Sequence, residues 1–247
     1  MRLDVFLTPG EITPAALADR TVVVLDILRA SSSIVQALSA GAKSIFPVAS
    51  IEEALRLANT FGRDEVLLAG ERRCLPIEGF DLGNSPLEFT EARVAGKVLV
   101  MTTTNGTAAM SLTLSAETVL IGSMLNLRAV VDELVRLEAE PALLCAGREK
   151  HFSLEDAACA GEFAARLMDE RPGDWVLNDG ARAAVALARE FGTGSDLFEL
   201  TAGGRSILDA GLQDDLDFCA QTDVRDIVPV FQERNITVLQ RQAGRSS

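Results

Sequence analysis

Short, apolar, β-rich runs alternate with segments of helical periodicity almost from one end of this chain to the other, and that rhythm constrains its fold most. The runs lie at Leu3–Leu7, Val22–Leu25, Ile45–Val48, Val66–Ala69, Val98–Met101, Val119–Ile121, Ala142–Cys145 and Val228–Phe231, with Ile236–Leu239 as a further candidate. Helical patterns fall between them, near Ala30–Ala40, Ile51–Asn59, Thr107–Ser115, Leu127–Leu137, Glu155–Met168 and Ala181–Phe191. Strands that alternate with helices argue for βαβ units and a largely parallel sheet covered on both faces. The expected fold class is therefore α/β, a three-layer αβα arrangement. Aromatic residues make up only 5% of the chain, so the core must be aliphatic, which suits such a sheet. A chain of 247 residues can bury one large core, and nothing in it reads as a linker, so one compact domain over 1–247 is expected.

The chain also echoes itself. Thr21–Ala58 and Lys97–Leu134 align without a gap, with Val22 on Val98, Val24 on Val100 and Leu38-Ser39-Ala40 on Leu114-Ser115-Ala116. One inserted residue then brings LLAGER (Leu67–Arg72) onto LCAGRE (Leu144–Glu149). The echo predicts two pseudo-repeated lobes, about 21–70 and 97–147. It also predicts that the loops Asp26–Ser33 and Thr102–Thr107 face one crevice.

A net charge of −13 with no block of lysine or arginine argues against nucleic acid, whose phosphates call for clustered cations. An acidic protein that takes an anionic ligand must gather its few cations, or a metal, at the site. Arg29, Arg72 and Arg148 gain interest for that reason. The four cysteines form no CxxC pair and read as reduced. No apolar stretch is long enough to span a bilayer, and the amino terminus lacks the apolar run of a signal peptide, so a cytoplasmic protein without a membrane partner is expected. The sequence leaves a homo-oligomer open.

In open α/β sheets, ligands bind beyond the carboxyl ends of the strands, and four polar segments fall there. After Val22–Leu25 comes Asp26-Ile27-Leu28-Arg29-Ala30-Ser31-Ser32-Ser33. A carboxylate at that tip can ligate a hard cation or attack phosphorus, and Arg29 can fork two phosphate oxygens; Asp26 could equally just cap the next helix. After Val98–Met101 comes Thr102-Thr103-Thr104-Asn105-Gly106-Thr107, whose hydroxyls, amide and close backbone suit an anion. The third segment begins Gly70-Glu71-Arg72 and continues through the turn-rich Gly79–Pro86, which could fold over a site as a lid. Within it Ser85-Pro86 also reads as a helix start. The fourth runs from Gly147-Arg148 to Ser153-Leu154-Glu155-Asp156, where S-x-x-D is a capping-box pattern.

His151, the single histidine, sits in a charged loop and reads as solvated rather than catalytic. Asp214, Asp215 and Asp217 read as a solvated acidic helix face. A Cys-x5-Arg loop, paired DxD nucleophile motifs and a histidine-rich dinuclear centre are all missing.

Taken together, VVVLDILRASSSI (Val22–Ile34), LLAGERRCLPIEGFDLGNSPLEFT (Leu67–Thr90), VLVMTTTNGTAA (Val98–Ala109), LLCAGREKHFSLEDAACAG (Leu143–Gly161) and LQDDLDFCAQTDVRDIVPV (Leu212–Val230) resemble the 2-phosphosulfolactate phosphatases of coenzyme M biosynthesis. GFDLGNSP and TTTNGT are specific strings, and the segments run in the family's order over nearly the whole chain. The resemblance implies an α/β fold, a Mg2+ requirement, and hydrolysis of a phosphate monoester on the 2-hydroxyl of a sulfonated carboxylic acid. Carried to matching positions, it favours Asp26, Arg29, Glu71, Arg72, Asn84, Ser85, Thr103, Thr104, Asn105 and Gly106, together with Glu155 and Asp156. Mg2+ would be held by Asp26 with Glu71, Glu155 or Asp156; Arg29 or Arg72 would clamp the phosphoryl group; and Arg148 would help bind the substrate. Two departures stand out. Arg73-Cys74 replaces the glycines usual after Gly-Glu-Arg, and serines stand in the first loop where threonine is common. Another 2-phosphohydroxy acid, or a non-catalytic anion-binding role, stays open at this point.

Overall fold

The computed structural model describes residues 1–240; positions 241–247 of the expected domain lie outside the described residues. In chain order the elements are β1 (Arg2–Phe6), β2 (Thr21–Leu25), α1 (Ala30–Ser39), β3 (Ser44–Pro47), α2 (Ile51–Ala58), β4 (Val66–Arg72), β5 (Leu75–Pro76), α3 (Glu91–Val94), β6 (Val98–Thr102) and α4 (Gly106–Ser111). There follow β7 (Thr118–Gly122), α5 (Leu127–Arg136), β8 (Ala142–Cys145), α6 (Leu154–Glu170), β9 (Val176–Leu177), α7 (Asp179–Phe191), α8 (Ser195–Leu200), α9 (Ala202–Asp209), α10 (Gln213–Cys219), β10 (Pro229–Gln232) and β11 (Asn235–Val238). One mixed, mostly parallel sheet carries all the strands in the order β5-β4-β6-β3-β11-β10-β7-β2-β8-β1-β9, with helices on both faces.

The order shows how the internal echo is built. β2 lies between β7 and β8, pairing Val22 with Val119 and with Ala142. β6 lies between β3 and β4, pairing Val98 with Ser44 and with Val66. Each repeated stretch thus gives its first strand to the middle of the other's trio, so 21–70 and 97–147 are interleaved rather than side by side. These two strands, TVVVL and VLVMT, are almost wholly buried and belong where both edges are paired. The antiparallel hairpin β10–β11 joins the trios, through Val230 to Leu120 and Ile236 to Ile45.

The hairpin reverses strand direction, so β2 and β6 leave the sheet by opposite edges, five strand spacings apart, about 24 Å if the sheet were flat. Twist of about 20–25° per step lifts diagonally opposite corners of a sheet toward the same face. Both carboxyl-terminal tips thus lie toward one face, where Gly106 after β6 comes up against Asp26 and Ala30 after β2. On the face between them, Val22, Val24, Leu99, Met101, Val119, Ile121 and Leu144 pack with Ile34 and Leu38 of α1 and Ala109 and Met110 of α4. The alternate residues Val23, Leu25, Leu120 and Leu143 point the other way, against α5, α6 and α7. α5 shows why its sequence is helical: Leu127, Val130, Val131 and Leu134 form one buried stripe. Each such side chain contributes about 2 kcal/mol of burial.

Three local expectations change. The helix expected over Thr107–Ser115 ends at Ser111, because Ser111 Oγ and Thr113 Oγ1 donate to the Thr107 and Met110 carbonyls, 2.9 and 2.8 Å away, and compete with the helical ladder. Gly79–Pro86 is no lid: Leu82, Asn84 and Ser85 are buried, and the Asp81 and Leu82 amides donate to the Leu68 carbonyl at 2.9 and 3.0 Å. Its glycines let it turn tightly along β4, where the strand backbone satisfies it. The short β5, β9 and α8 have too few residues to carry a readable period, and α9 is interrupted by a Gly203-Gly204 pair.

Candidate active site

Asp26 stands where the two trios meet. β2 delivers it to the strand end, and the Ser31 hydroxyl accepts its backbone N–H at 2.9 Å, closing the turn into α1. The Ala30 amide, at the start of α1, donates to Asp26 Oδ1 at 3.4 Å. The backbone amide of Gly106, at the start of α4, faces this carboxylate and favours its charged form. A methyl group at Gly106 would lie 2.8 Å from both Asp26 Oδ2 and Ala30 Cβ, so only glycine allows this approach. The loops after β2 and β6 therefore share one carboxylate. Burial pushes the Asp26 pKa up, helped by the charges of Glu71 and Glu155 and opposed by the two amides, to about 7.

Two other buried carboxylates staple loops together. Glu71 Oε1 accepts from the Thr104 amide and hydroxyl at 2.9 and 2.8 Å, and Oε2 from the Cys74 amide at 2.9 Å, locking the β4 end to the β6 end. Asp156 does the same for the other trio: Oδ1 accepts from the Ile27 amide at 2.9 Å and Oδ2 from the Gly147 amide at 3.0 Å. The capping box is thus half formed. Ser153 Oγ accepts the Asp156 amide at 3.2 Å, while the Asp156 carboxylate serves the strand ends instead. Burial, then Asp26 and Glu155, raise the Asp156 pKa well above the carboxylate range.

Glu155, one residue earlier on α6, differs. Burial raises its pKa, and its Oε2 has no hydrogen-bond partner among the described residues although it is enclosed. Such an orphaned anion calls for a cation or a donor from a ligand. Among the described residues no group of three or more histidine, cysteine, aspartate or glutamate side chains forms a metal cage. A hard cation would find carboxylate oxygens of Asp26, Glu71, Glu155 and Asp156 on the cavity lining, of which Glu155 Oε2 is the one left without a hydrogen bond among the described residues. That suits Mg2+, which takes one or two carboxylates and completes its shell from phosphate and water.

These groups line a cavity of about 520 Å³, walled also by Arg29, Arg72, Arg73, Cys74, Asn84, Thr103, Thr104, Asn105 and Arg148. The arginines are held differently. Arg29 is paired with Asp215 of α10 at 2.5 Å, both side chains 2% exposed, and donates to the Cys74 carbonyl at 2.9 Å. Arg72 donates to the Glu71 carbonyl and to Thr102 Oγ1 at 2.7 and 3.1 Å. Arg148 donates to the Ala202 carbonyl and Ser206 Oγ, both at 2.9 Å. Arg72 and Arg148 are thus oriented by neutral acceptors and form no ion pair among the described residues.

Asp215 corrects the expectation of a solvated acidic face. Leu212, Asp215, Leu216 and Cys219 follow helical spacing, so Asp215 lies on the inward stripe; Asp214 and Asp217 are exposed as expected. That spacing was the available signal. Ser85, matched to substrate binding, gives its hydroxyl to Asp215 at 2.5 Å and stands behind the cavity wall. Asn84 lines the cavity; Ser33 Oγ donates to its carbonyl at 2.7 Å, and its side-chain Oδ1 has no hydrogen-bond partner among the described residues. Asn105 Oδ1 accepts the Glu149 amide at 2.8 Å, tying the β6 and β8 loops together. The His151 side chain is exposed. α9, which supplies Gly203 and Ser206 to the wall, came from a segment without a readable pattern.

Comparison with known proteins agrees with this construction. Residues 6–234 match the family model described as 2-phosphosulpholactate phosphatase. The chain is 44% identical over 226 residues to a protein of Symbiobacterium thermophilum named "Probable 2-phosphosulfolactate phosphatase", covering 91% of this chain and 96% of that one. Proteins of the same name from Clostridium novyi and Clostridium beijerinckii are 37% and 34% identical, each over 96% of this chain and 100% and 99% of their own. With the match running from β1 to the β10–β11 turn, this chain belongs to the 2-phosphosulfolactate phosphatase family.

Proposed function

We propose that the protein hydrolyses 2-phosphosulfolactate to sulfolactate and phosphate with Mg2+. The observation that carries this reading is Asp26, a buried carboxylate with a pKa of about 7 in the metal-free site, sharing one cavity with two guanidinium groups that form no ion pair among the described residues. Hydrolysis forms a bond from water oxygen to phosphorus, breaks the bond from phosphorus to the C2 oxygen, and returns a proton to that oxygen. Arg72 and Arg148, already oriented, would fork the phosphoryl oxygens and stabilise charge that grows in the transition state. Asp26 would orient the attacking side of the site. Glu71 and Asp156 would keep the loops in place, so that these groups need no rearrangement during reaction. Asp26 and Glu155 would hold Mg2+, which when bound neutralises charge on the phosphoryl oxygens.

A phosphate-release assay on purified protein tests this. We expect release from 2-phosphosulfolactate, loss of release with EDTA, and recovery with Mg2+. Equal release with and without the chelator would remove Mg2+ from the mechanism. No release from 2-phosphosulfolactate or any phosphorylated 2-hydroxy acid would remove the phosphatase reading.

A further inference from the structure

The cavity's fourth arginine is unlike the other three. Arg73 and Cys74 form the two-residue turn of the β4–β5 hairpin, between the paired residues Arg72 and Leu75. Both have left-handed backbones, with φ of 53° and 67°. Glycine adopts this conformation freely, whereas a side chain there is strained, and such positions are retained mostly where function needs the side chain. The turn's backbone is fixed from both sides: the Cys74 amide donates to Glu71 Oε2 and its carbonyl accepts from Arg29, each at 2.9 Å. The Arg73 side chain lines the cavity, is exposed, and has no hydrogen bond or ion pair among the described residues. A rigid turn thus presents one uncommitted cation at the mouth, while Asp26, Glu155 and Asp156 lie buried at the floor.

We infer that Arg73 is a specificity-determining residue that pairs with the anionic group of the substrate tail farthest from the reacting phosphorus, a sulfonate or carboxylate. This rests on the phosphatase reading for its substrate. Arg29 is neutralised by Asp215, and Arg72 and Arg148 are tethered within the wall, which leaves Arg73 free to reach a second anion. Two anionic ends are then met by two sets of guanidinium groups, fixed ones for the phosphoryl end and an adjustable one for the tail.

Calorimetry on the full chain with Mg2+, using sulfolactate and inorganic phosphate as separate probes, decides the matter. Arg73→Gly suits the turn's backbone. It is expected to weaken sulfolactate about tenfold, in the range of a lost charge-assisted hydrogen bond, and to leave phosphate affinity within about twofold. Arg73→Lys should recover part of the loss. With 2-phosphosulfolactate as substrate, the loss should fall on KM rather than kcat. Unchanged sulfolactate affinity in Arg73→Gly, an equal loss for phosphate, or no sulfolactate binding by the wild type would overturn the assignment. If the wild type releases no phosphate from any ester, the phosphatase reading fails, and the calorimetry still decides the anion site.

Discussion

At the scale of single residues, Asp26 is held between opposed influences. Burial and two neighbouring carboxylates favour its proton, while two helix-start amides favour its charge. Its folded pKa of about 7 lies above the unfolded value of about 4. The metal-free fold therefore draws stability from this group below about pH 4 and loses it as pH rises through about 7, because the unfolded chain releases the proton first. Asp26→Asn removes that penalty. At pH 8 the metal-free variant should be more stable by ~1–2 kcal/mol, seen as a melting temperature higher by a few degrees. The same change should lower turnover at least ~100-fold, as for loss of a key electrostatic group. A variant that melts no higher, or turns over normally under saturating Mg2+, would contradict this account of Asp26.

The elements explain why that residue can be reached at all. α4 approaches β2 only because Gly106 has no side chain. Gly106→Ala would push a methyl group against Asp26 and Ala30, which costs about 1–3 kcal/mol as overpacking. The sharper effect should be on kcat, about 100-fold, since displacing a catalytic group by about 1 Å is that costly. Steady-state kinetics beside a urea denaturation curve separate the two effects, and a kcat loss no larger than the stability loss predicts would argue against the shared carboxylate. α10 contributes in another way. Asp215→Ala leaves the Arg29 charge buried and unpaired, a loss of ~3–5 kcal/mol. Asp215→Asn, which still accepts a hydrogen bond, should lose clearly less. Equal urea midpoints for Asp215→Ala and wild type would show that the pair contributes nothing.

At the scale of the whole molecule, the interleaved strands and the shared carboxylate tie the two trios into one sheet. We expect a single cooperative unfolding transition. Trp175, the only tryptophan, sits beside β9 at one edge of the sheet, so its fluorescence reports that side, while far-ultraviolet circular dichroism reports the whole. Coincident urea transitions by the two probes fit one cooperative body; an earlier fluorescence transition would mean that the trios unfold apart. The acidic surface does not prevent anion binding, because the arginines that matter are gathered at one cavity, where enclosure strengthens their local field over the net charge.

Period and composition determined much of this protein. Aliphatic runs and helical stripes are local patterns, so the main strands, α1, α2, α5, α6 and α7, the α/β class and the polar strand ends were all readable. Asp26, Glu71 and Gly106 were readable too, because a strand end announces where its next residues go. Pairing is not local. That β2 and β6 exchange trios depends on which strand edges meet, and no single run encodes this. The meeting of their tips depends on twist accumulated over five strand spacings. Asp215 looked solvated beside Asp214 and Asp217, and became a buried partner only when α10 set Leu212, Leu216 and Cys219 against the core. Asp156 looked like a helix cap, and its carboxylate found the Ile27 and Gly147 amides from two other strand ends. A residue's type limits the bonds it can make; only tertiary structure decides which distant partners come close enough to make them.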